Sequence, residues 1–165
     1  VPAMYTLCTR ILVHTPGQYS WFSATAIFAI GLLGIAFNYA VDWERQYFRE
    51  TGGKKKIWGR LPTKLDVKYF VTQGGKQVEK TSTLLTSGFW GISRHTNYVF
   101  ELQLAYAWCF LSCSENYIGL FYPIFLTCLL FHRSVRDELK CINKYGEGYR
   151  QYMNLVRYRV LPFIF

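Results

Sequence analysis

Two long segments of this chain contain no carboxylate, lysine or arginine side chain, and they limit how it can fold. None of these side chains lies between Arg10 and Asp42, and none lies between Glu115 and Arg133. The basic residues crowd instead into the two segments that follow these stretches, in a chain with a net charge of +9. A lipid bilayer imposes such segregation, because charged side chains are costly in its hydrocarbon core. A nucleic-acid-binding protein would spread its cations over a solvated face, so the pattern disfavours that class.

Three apolar segments predict a multi-span helical bundle in a membrane. Residues 21–41 are long and apolar enough to span a bilayer, which takes about 20 residues. Within them, Gly31 and Gly34 allow close packing against another helix. Residues 97–113 and 117–132 are shorter and suit a tight helical hairpin inside a larger bundle. The predicted fold class is therefore all-α, with about three spans.

The two charge-rich segments are predicted to lie on the same side of the membrane. One span before the loop 42–95 and two spans after it place this loop and the tail 133–165 together, and the positive-inside rule makes that side cytosolic. Residues 42–53 (DWERQYFRETGG) predict a helical extension closed by a glycine pair. Alternating residues around Gly74-Gly75 predict a short hairpin. Loop and tail can therefore build one site.

Charged pairs at the predicted membrane exits have two interpretations. Arg45 and Arg49 lie one helical turn apart. They fit either the basic residues that flank the cytosolic end of a membrane span or two guanidinium groups that together bind a phosphate monoester. Arg133 and Asp137 share a helix face in the same way. They fit either a snorkelling ion pair or an anion-binding wall whose carboxylate accepts a hydrogen bond from a sugar hydroxyl.

Other reactive side chains predict neither a metal site nor a disulfide. Arg94 and His95 stand at the start of an apolar segment, where they fit either capping and snorkelling or a role in facing or bracing a binding site. No trio of His, Cys and carboxylate has metal-ligand spacing. The five cysteines form no C-x-x-C pair, and we expect them to be reduced, buried and packed as small apolar residues.

Several ordered motifs carry a family resemblance. They are FRETGGKKKIWGR at residues 48–60, SGFWGISRHTNY at 87–98, HRSVRDE at 132–138 and KYGEGYRQYMNLVRYRVLPFIF at 144–165. Together they resemble the C-terminal part of the sterol reductase family, which comprises the membrane Δ14 and Δ7 reductases and the sterol reductase-like domain of lamin B receptor. SGFW and the terminal IF favour the Δ7 group. The chain is accordingly expected to be the C-terminal part, residues 1–165, of a single longer membrane domain.

The resemblance implies a multi-pass enzyme of the endoplasmic reticulum membrane that uses NADPH to saturate a sterol ring double bond, at C7–C8 in the Δ7 group. Its partners would be the sterol substrate and membrane lipid, and its cofactor pocket would face the cytosol. An isolated ring alkene is a poor hydride acceptor, so a proton must reach one alkene carbon while the nicotinamide delivers hydride to the other. The acid nearest the sterol is expected upstream of Val1.

The resemblance also implies roles for individual residues. Arg45 and Arg49 would clamp the adenosine 2′-phosphate, Trp90 would pack on a flat ring, and Asp137 would contact the cofactor or help to relay the proton. The implied cofactor contacts are Arg45, Arg49, Leu85, Trp90, Asn97, Tyr98, Arg133, Asp137, Cys141, Ile142, Asn143, Lys144, Tyr145 and Tyr152.

Two departures from the family pattern lie near the implied cofactor site. Thr96 stands where the family usually has Pro or Phe, and Glu101 stands where many members have Asp.

Other functions remain open from the sequence. A Δ14-sterol reductase shares most of the motifs. A membrane methyltransferase of the isoprenylcysteine type shares an RH-x-x-Y element, but its S-adenosylmethionine carries no 2′-phosphate for Arg45 and Arg49 to bind. A non-catalytic scaffold with the same fold is a further alternative.

Overall fold

The computed structural model describes residues 2–14, 19–112 and 117–164, with side chains from residue 6 onward. The chain divides into two compact units, one formed by Val1–Tyr39 and Asn97–Phe131 and the other by Ala40–Thr96 and His132–Phe165. The elements are α1 (Pro2–His14), α2 (Trp21–Thr51), β1 (Lys64–Gln73), β2 (Lys76–Leu85), α3 (Phe89–Ile92), α4 (Thr96–Phe110), α5 (Phe121–Tyr145, preceded by a 3₁₀ turn at Tyr117–Leu120) and α6 (Glu147–Leu155).

In the first unit, α2 and α4 pack closely at a glycine, as the sequence predicts. A Cβ on Gly34 would lie 3.2 Å from the carbonyl oxygen of Phe100. The rings of Phe37 and Phe100 stack with centroids 5.1 Å apart, and the side-chain amide of Gln103 donates to Ile30 O at 2.8 Å. The missing side chain at this position therefore lets the two backbones approach each other.

The predicted buried cysteines are found where α1 meets α4. Cys8 and Cys109 are both fully buried, with their sulfur atoms 2.7 Å apart, and Cys8 Sγ also lies 3.3 Å from Gly119 O. The described cysteines are free thiols. The prediction of burial is wrong for Cys128, which is exposed, and Cys141 is only partly buried. Cys113 lies outside the described residues.

Two helical segments among the described residues, Trp21–Thr51 and Tyr117–Tyr145, are long and apolar enough to cross a membrane. Large apolar side chains of α2 project outward, for example Phe28, which is 61% exposed. Such exposure suits a lipid-facing helix better than the core helix of a soluble protein. The third predicted span, 97–113, corresponds to α4, whose 15 residues are fewer than the about 20 needed to cross a bilayer alone.

The second unit contains a two-stranded antiparallel sheet, so the predicted all-α class is wrong in this respect. β1 and β2 pair in register, with Val71 opposite Val78 and Gln73 opposite Lys76. Gly74 and Gly75 form the turn, with φ of 60° and 80°. A tight hairpin turn that requires positive φ at both central residues favours such a glycine pair. The fold is therefore mainly helical with the one hairpin that the local pattern predicts.

The predicted helical extension of α2 is also confirmed. The helix continues beyond the apolar stretch to Thr51, and the N–H of Gly53 donates to Phe48 O at 3.0 Å. Gly52 and Gly53 have φ of 60° and 72°, the left-handed conformation that closes many helices. The extension carries charged residues out of the apolar part of α2 and into the second unit.

Helix α6 packs against the hairpin at a glycine. A Cβ on Gly148 would clash with Val67 of β1. Tyr149, Tyr152 and Val156 form a buried cluster beside this contact, and Leu65 of β1 packs on it. The close approach therefore brings the tail and the loop together in one unit.

Candidate functional site

Arg94, whose role the sequence leaves open, faces a buried carboxylate. Its Nε and Nη2 each lie 2.6 Å from Oε1 of Glu138. Arg159 binds the other carboxylate oxygen, with Nη2 at 2.6 Å and Nε at 2.8 Å. Arg94 is 7% exposed and Glu138 is 2% exposed. Both oxygens of the carboxylate are thus satisfied by guanidinium forks, the strong form of ion pair. We call Arg94, Glu138 and Arg159 the buried triad.

The same arginine also fixes the C-terminal tail. Arg94 Nη1 donates to the carbonyl oxygens of Val156 and Arg157, at 2.5 and 2.9 Å. Its backbone N–H donates to Tyr158 O at 3.0 Å. Arg94 therefore ties the loop that precedes α4 to the end of the tail.

His95 is neutral at pH 7. Burial lowers the pKa of His95 to about 4, although the negative charges of Glu138 and Asp137 act in the opposite direction. The positive charges of Arg94 and Arg159 lower this pKa further. The imidazole therefore adds no positive charge to the site at neutral pH.

Trp90 is held between α2 and a guanidinium. Its indole N–H donates to Val41 O at 3.0 Å, and Arg45 Cζ lies 4.6 Å from the ring centroid. Trp90 is buried, so the hydrogen bond and the cation–π contact fix the orientation of the ring. The structure thus brings together two of the residues that the motifs single out.

A second carboxylate supports this arrangement. Glu44, which is buried, accepts a hydrogen bond from the N–H of Phe89 at 2.9 Å. Gly88 has φ of 64°, and a Cβ there would clash with the Glu44 carboxylate. Burial raises the pKa of Glu44. The glycine in SGFW therefore makes room for a side chain of α2.

Arg45 and Arg49 form a concentration of positive charge on the α2 extension. The pKa of Arg45 is lowered, first by partial burial of its guanidinium and then by the charge of Arg49. Among the described residues, neither arginine forms an ion pair with a carboxylate. Two adjacent guanidiniums of this kind suit a doubly charged anion such as a phosphate monoester.

Uncharged groups of the tail lie near Arg45. Cys141 and Tyr152 are close enough to act electrostatically on Arg45. Burial raises the pKa of the Cys141 thiol, and it raises the pKa of Tyr152 to about 12. Both groups are therefore protonated at pH 7, so neither cancels the charge of Arg45.

The remaining wall of the tail is aromatic. The ring of Tyr145 lies 5.0 Å from that of Tyr69 and 6.4 Å from that of Tyr149, which in turn lies 5.5 Å from Tyr152. The ammonium of Lys144 sits over Tyr69 and Tyr145, at 4.8 and 4.9 Å from the centroids. These contacts hold the end of α5 against the hairpin.

Arg133 and Asp137 lie on one face of α5, as predicted from their spacing. Arg133 Nε is 3.7 Å from Asp137 Oδ2, and both side chains are substantially exposed at 56% and 36%. An exposed pair of this length contributes only about 0–1 kcal/mol to stability. The Asp137 carboxylate therefore keeps the capacity to accept further hydrogen bonds.

The other sequence-predicted site residues have varied environments. Leu85 is buried at the end of β2, Ile142 packs on the tail cluster and Asn143 is exposed. Asn97 and Tyr98 lie in the first turn of α4, in the first unit. The Oδ1 atom of Asn97 is buried and has no hydrogen-bond partner among the described residues.

Three buried or partly buried residues of the second unit were not predicted from the sequence as site residues: Glu44, Glu138 and Arg159. Glu138 directly follows Asp137 in HRSVRDE, and one residue along a helix turns the side chain by about 100° to another face. The sequence therefore gives no local signal that sets Glu138 apart from the other carboxylates of the tail, Asp137 and Glu147. Within the described part of the chain, no group of His, Cys, Asp and Glu could hold a metal ion.

Comparison with known proteins decides the family. The sequence profile of the ergosterol biosynthesis ERG4/ERG24 family matches residues 1–165. The chain belongs to this family. The resemblance inferred from the motifs is thereby confirmed.

Relatives of this ERG4/ERG24 family member are sterol reductases. The whole chain is 42% identical to a 7-dehydrocholesterol reductase of Arabidopsis thaliana, of which it covers 38%, and 40% identical to one of Danio rerio, of which it covers 34%. It is 35% identical to a Delta(14)-sterol reductase of Methylotuvimicrobium alcaliphilum, of which it covers 36%. The chain thus spans little more than a third of the length of these relatives.

Proposed function

We propose that the protein containing this chain is a membrane oxidoreductase that uses NADPH to reduce the C7–C8 double bond of a sterol, and that the chain supplies much of the NADPH site. The names of the relatives support sterol reduction, and the higher identity to the 7-dehydrocholesterol reductases favours the C7–C8 bond. We further propose that the protein lies in the endoplasmic reticulum membrane. The clustering of basic residues supports a site that faces the cytosol.

The single observation that carries the cofactor proposal is the Arg45–Arg49 pair. These guanidiniums have no carboxylate partner among the described residues, and one of them stacks on Trp90. A 2′-phosphate distinguishes NADPH from NADH and offers the charge that this pair lacks. Arg45 and Arg49 would hold the phosphate, and Trp90 would pack on a flat ring of the cofactor, as the family resemblance implies.

Other residues would orient the rest of the cofactor. Within the second unit, Leu85 would contribute buried surface, and Lys144 and Tyr145 would form the aromatic wall at the end of α5.

The reaction requires one proton and one hydride at the two alkene carbons. When bound, NADPH supplies the hydride. Asp137 would accept a hydrogen bond from the cofactor or pass a proton toward the alkene. Its exposed pairing with Arg133 leaves the carboxylate in contact with solvent, from which the proton is replaced. A Δ14-sterol reductase is the second candidate function, because the bacterial relative carries that name.

Replacing Arg45 by alanine in the full-length protein is expected to weaken NADPH binding by about 10- to 100-fold, because a hydrogen bond to a charged group contributes roughly 1.5–3 kcal/mol. NADH binding should change little, since NADH carries no 2′-phosphate. Titration of both nucleotides against the purified protein checks this. Lys80→Ala removes one exposed positive charge elsewhere and serves as the control. Equal losses for NADPH and NADH would contradict the assignment.

A further inference from the structure

A short basic segment follows the end of α2 in the second unit. Residues 54–61 (KKKIWGRL), which we call the basic loop, contain four cationic side chains, those of Lys54, Lys55, Lys56 and Arg60. No carboxylate lies between Glu50 and Asp66. The four side chains are exposed, and among the described residues none of them forms an ion pair. The basic loop therefore presents concentrated positive charge that the described ion pairs do not neutralise.

A tight turn within the basic loop directs an aromatic ring outward. The N–H of Ile57 donates to Arg60 O at 2.8 Å, and the N–H of Arg60 donates to Ile57 O at 3.0 Å. The two central residues, Trp58 and Gly59, have φ of 49° and 76°. Turns of this kind favour Gly, Asn or Asp at both central positions, and a bulky residue is strained there. Trp58 is 62% exposed, so packing within the described chain does not explain why a tryptophan stands at this position.

Contacts of Trp58 place the basic loop beside the start of the α2 extension. The ring of Trp58 packs edge-on against that of Phe89, with centroids 4.8 Å apart. The N–H of Phe89 in turn donates to the Glu44 carboxylate. Glu44 lies three residues beyond Val41, where the predicted span ends, and three helical residues rise by about 5 Å. The basic loop therefore returns to the level at which α2 leaves the membrane.

A second set of contacts reaches the same part of α2. Lys55 Nζ lies 5.8 Å from the centroid of the Tyr47 ring, and Tyr47 stacks on Trp43 with centroids 5.0 Å apart. Trp43 is 53% exposed and lies two residues beyond Val41. Tryptophan is enriched at membrane–water interfaces, where its ring meets lipid and its N–H meets water. Trp43 and the basic loop therefore present exposed aromatic and cationic groups at the membrane boundary.

The chemistry and the position of this surface together select its partner. A nucleic acid or a soluble acidic protein would meet the cations, but it would have to displace the bilayer from a surface at the membrane boundary. Leu61 is 65% exposed beside Trp58, and such apolar side chains suit the level at which lipid headgroups meet acyl chains. Lysine and arginine side chains near a membrane surface attract anionic lipids. An anionic bilayer therefore matches both the charge and the apolar side chains.

We propose that the basic loop is a binding site for anionic membrane lipid. Trp58 and Leu61 lie at the headgroup level, and the lysines and Arg60 pair with the phosphate and carboxylate groups of the lipid. This site goes beyond the proposed sterol reduction, because its ligand is not the substrate and its occupation requires neither NADPH nor sterol. Bound lipid holds the basic loop against the α2 extension.

Removing charge is the first test. In the full-length protein in detergent, the double variant Lys54→Gln, Lys56→Gln should lower the affinity for a fluorescent phosphatidylserine at least tenfold, because each lysine near a membrane surface contributes about fivefold. The control variant Lys76→Gln, Lys80→Gln removes two exposed lysines of the hairpin and should change this affinity less than twofold. Binding of a fluorescent phosphatidylcholine, which has no net charge, should change less than twofold in both variants. Equal phosphatidylserine affinities of the two variants would overturn the proposal, as would equal losses for the two lipids.

Replacing the strained tryptophan is the second test. Glycine adopts positive φ without strain, so Trp58→Gly relaxes the turn while it removes the ring. The affinity for phosphatidylserine should fall at least threefold. If Trp58 has only a structural role in the turn, this affinity stays unchanged, and that result would refute its place in the lipid site. Thermal unfolding of each variant confirms that it is folded before it is titrated.

The other classes of partner are distinguished with the same lysine variant. A labelled single-stranded RNA or polyglutamate peptide that loses tenfold affinity in Lys54→Gln, Lys56→Gln, with phosphatidylserine binding unchanged, would contradict the lipid assignment. A loss of NADPH affinity with phosphatidylserine binding unchanged would contradict it too. Weaker phosphatidylserine binding with normal NADPH binding supports the lipid site. A protein that reduces no sterol but shows these lipid affinities would contradict the proposed function alone.

Discussion

Replacing Glu138 by leucine is expected to destabilise the protein by about 3–5 kcal/mol, because it leaves the buried Arg94 without its partner. Arg94 and Glu138 are 7% and 2% exposed, so solvent does not replace the lost interaction. Thermal or urea unfolding of the full-length protein in detergent measures the change. Glu147→Leu removes an exposed partner of Arg150 and should cost less than about 1 kcal/mol. Equal destabilisation by the two substitutions would contradict the role of the buried triad.

A reversal experiment separates the triad's charge pairing from its packing. Replacing a buried ion-pair network by well-packed apolar residues is often neutral or stabilising. The triple variant Arg94→Met, Glu138→Leu, Arg159→Met should therefore recover part of the stability that Glu138→Leu loses. The hydrogen bonds from Arg94 to the tail are absent in the triple variant, so recovery should be incomplete.

Replacing Asp137 by asparagine is expected to lower sterol turnover by about 10²- to 10⁴-fold, the usual contribution of a group that transfers a proton. Stability should change by less than about 1 kcal/mol, because the ion pair with Arg133 that is lost is exposed. Turnover is measured with the full-length protein, and unfolding confirms the fold. Asp66→Asn, which alters an exposed carboxylate bonded to Thr83, is the matched control. Normal turnover of the Asp137 variant would contradict the proposed role of Asp137 in the reaction.

Local patterns predicted two elements of the second unit, the helical extension of α2 and the hairpin. The extension of α2 ends at Gly52-Gly53 and the hairpin turns at Gly74-Gly75, as the sequence indicates. Both features depend on glycine in a left-handed conformation, which is a property of a few neighbouring residues. The all-α class was wrong because it rested on the predicted membrane helices alone, although the alternation around Gly74-Gly75 already predicted a hairpin.

Partners across the chain could not be predicted in the same way. The sequence singled out Arg94 but left its partner open, because Glu138 is 44 residues away. The spacing rule that groups Arg133 with Asp137 acts along one helix face, and Glu138 points away from that face to the triad. Only the folded arrangement shows that Arg94 braces the loop and the tail.

The role of the Arg45–Arg49 pair was open to two explanations in the sequence. Positive-inside flanking predicts arginines that face solvent or lipid headgroups with no particular neighbour. The structure instead places Arg45 on the ring of Trp90 and near Tyr152. Flanking alone does not predict this packing, which is in keeping with the binding role that we propose for Arg45.

The proposed transfer of hydride from NADPH to the sterol ring is tested by following an isotope label from the cofactor into the sterol product. The full-length protein is incubated with NADPH carrying deuterium at the transferable position of the nicotinamide, once with a Δ7 sterol and once with a Δ14 sterol, and the products are analysed by mass spectrometry. We expect saturation of the C7–C8 bond of the Δ7 sterol, with one deuterium in the product. Reduction of the Δ14 sterol alone, a product without deuterium, or no reduction of either sterol would contradict it.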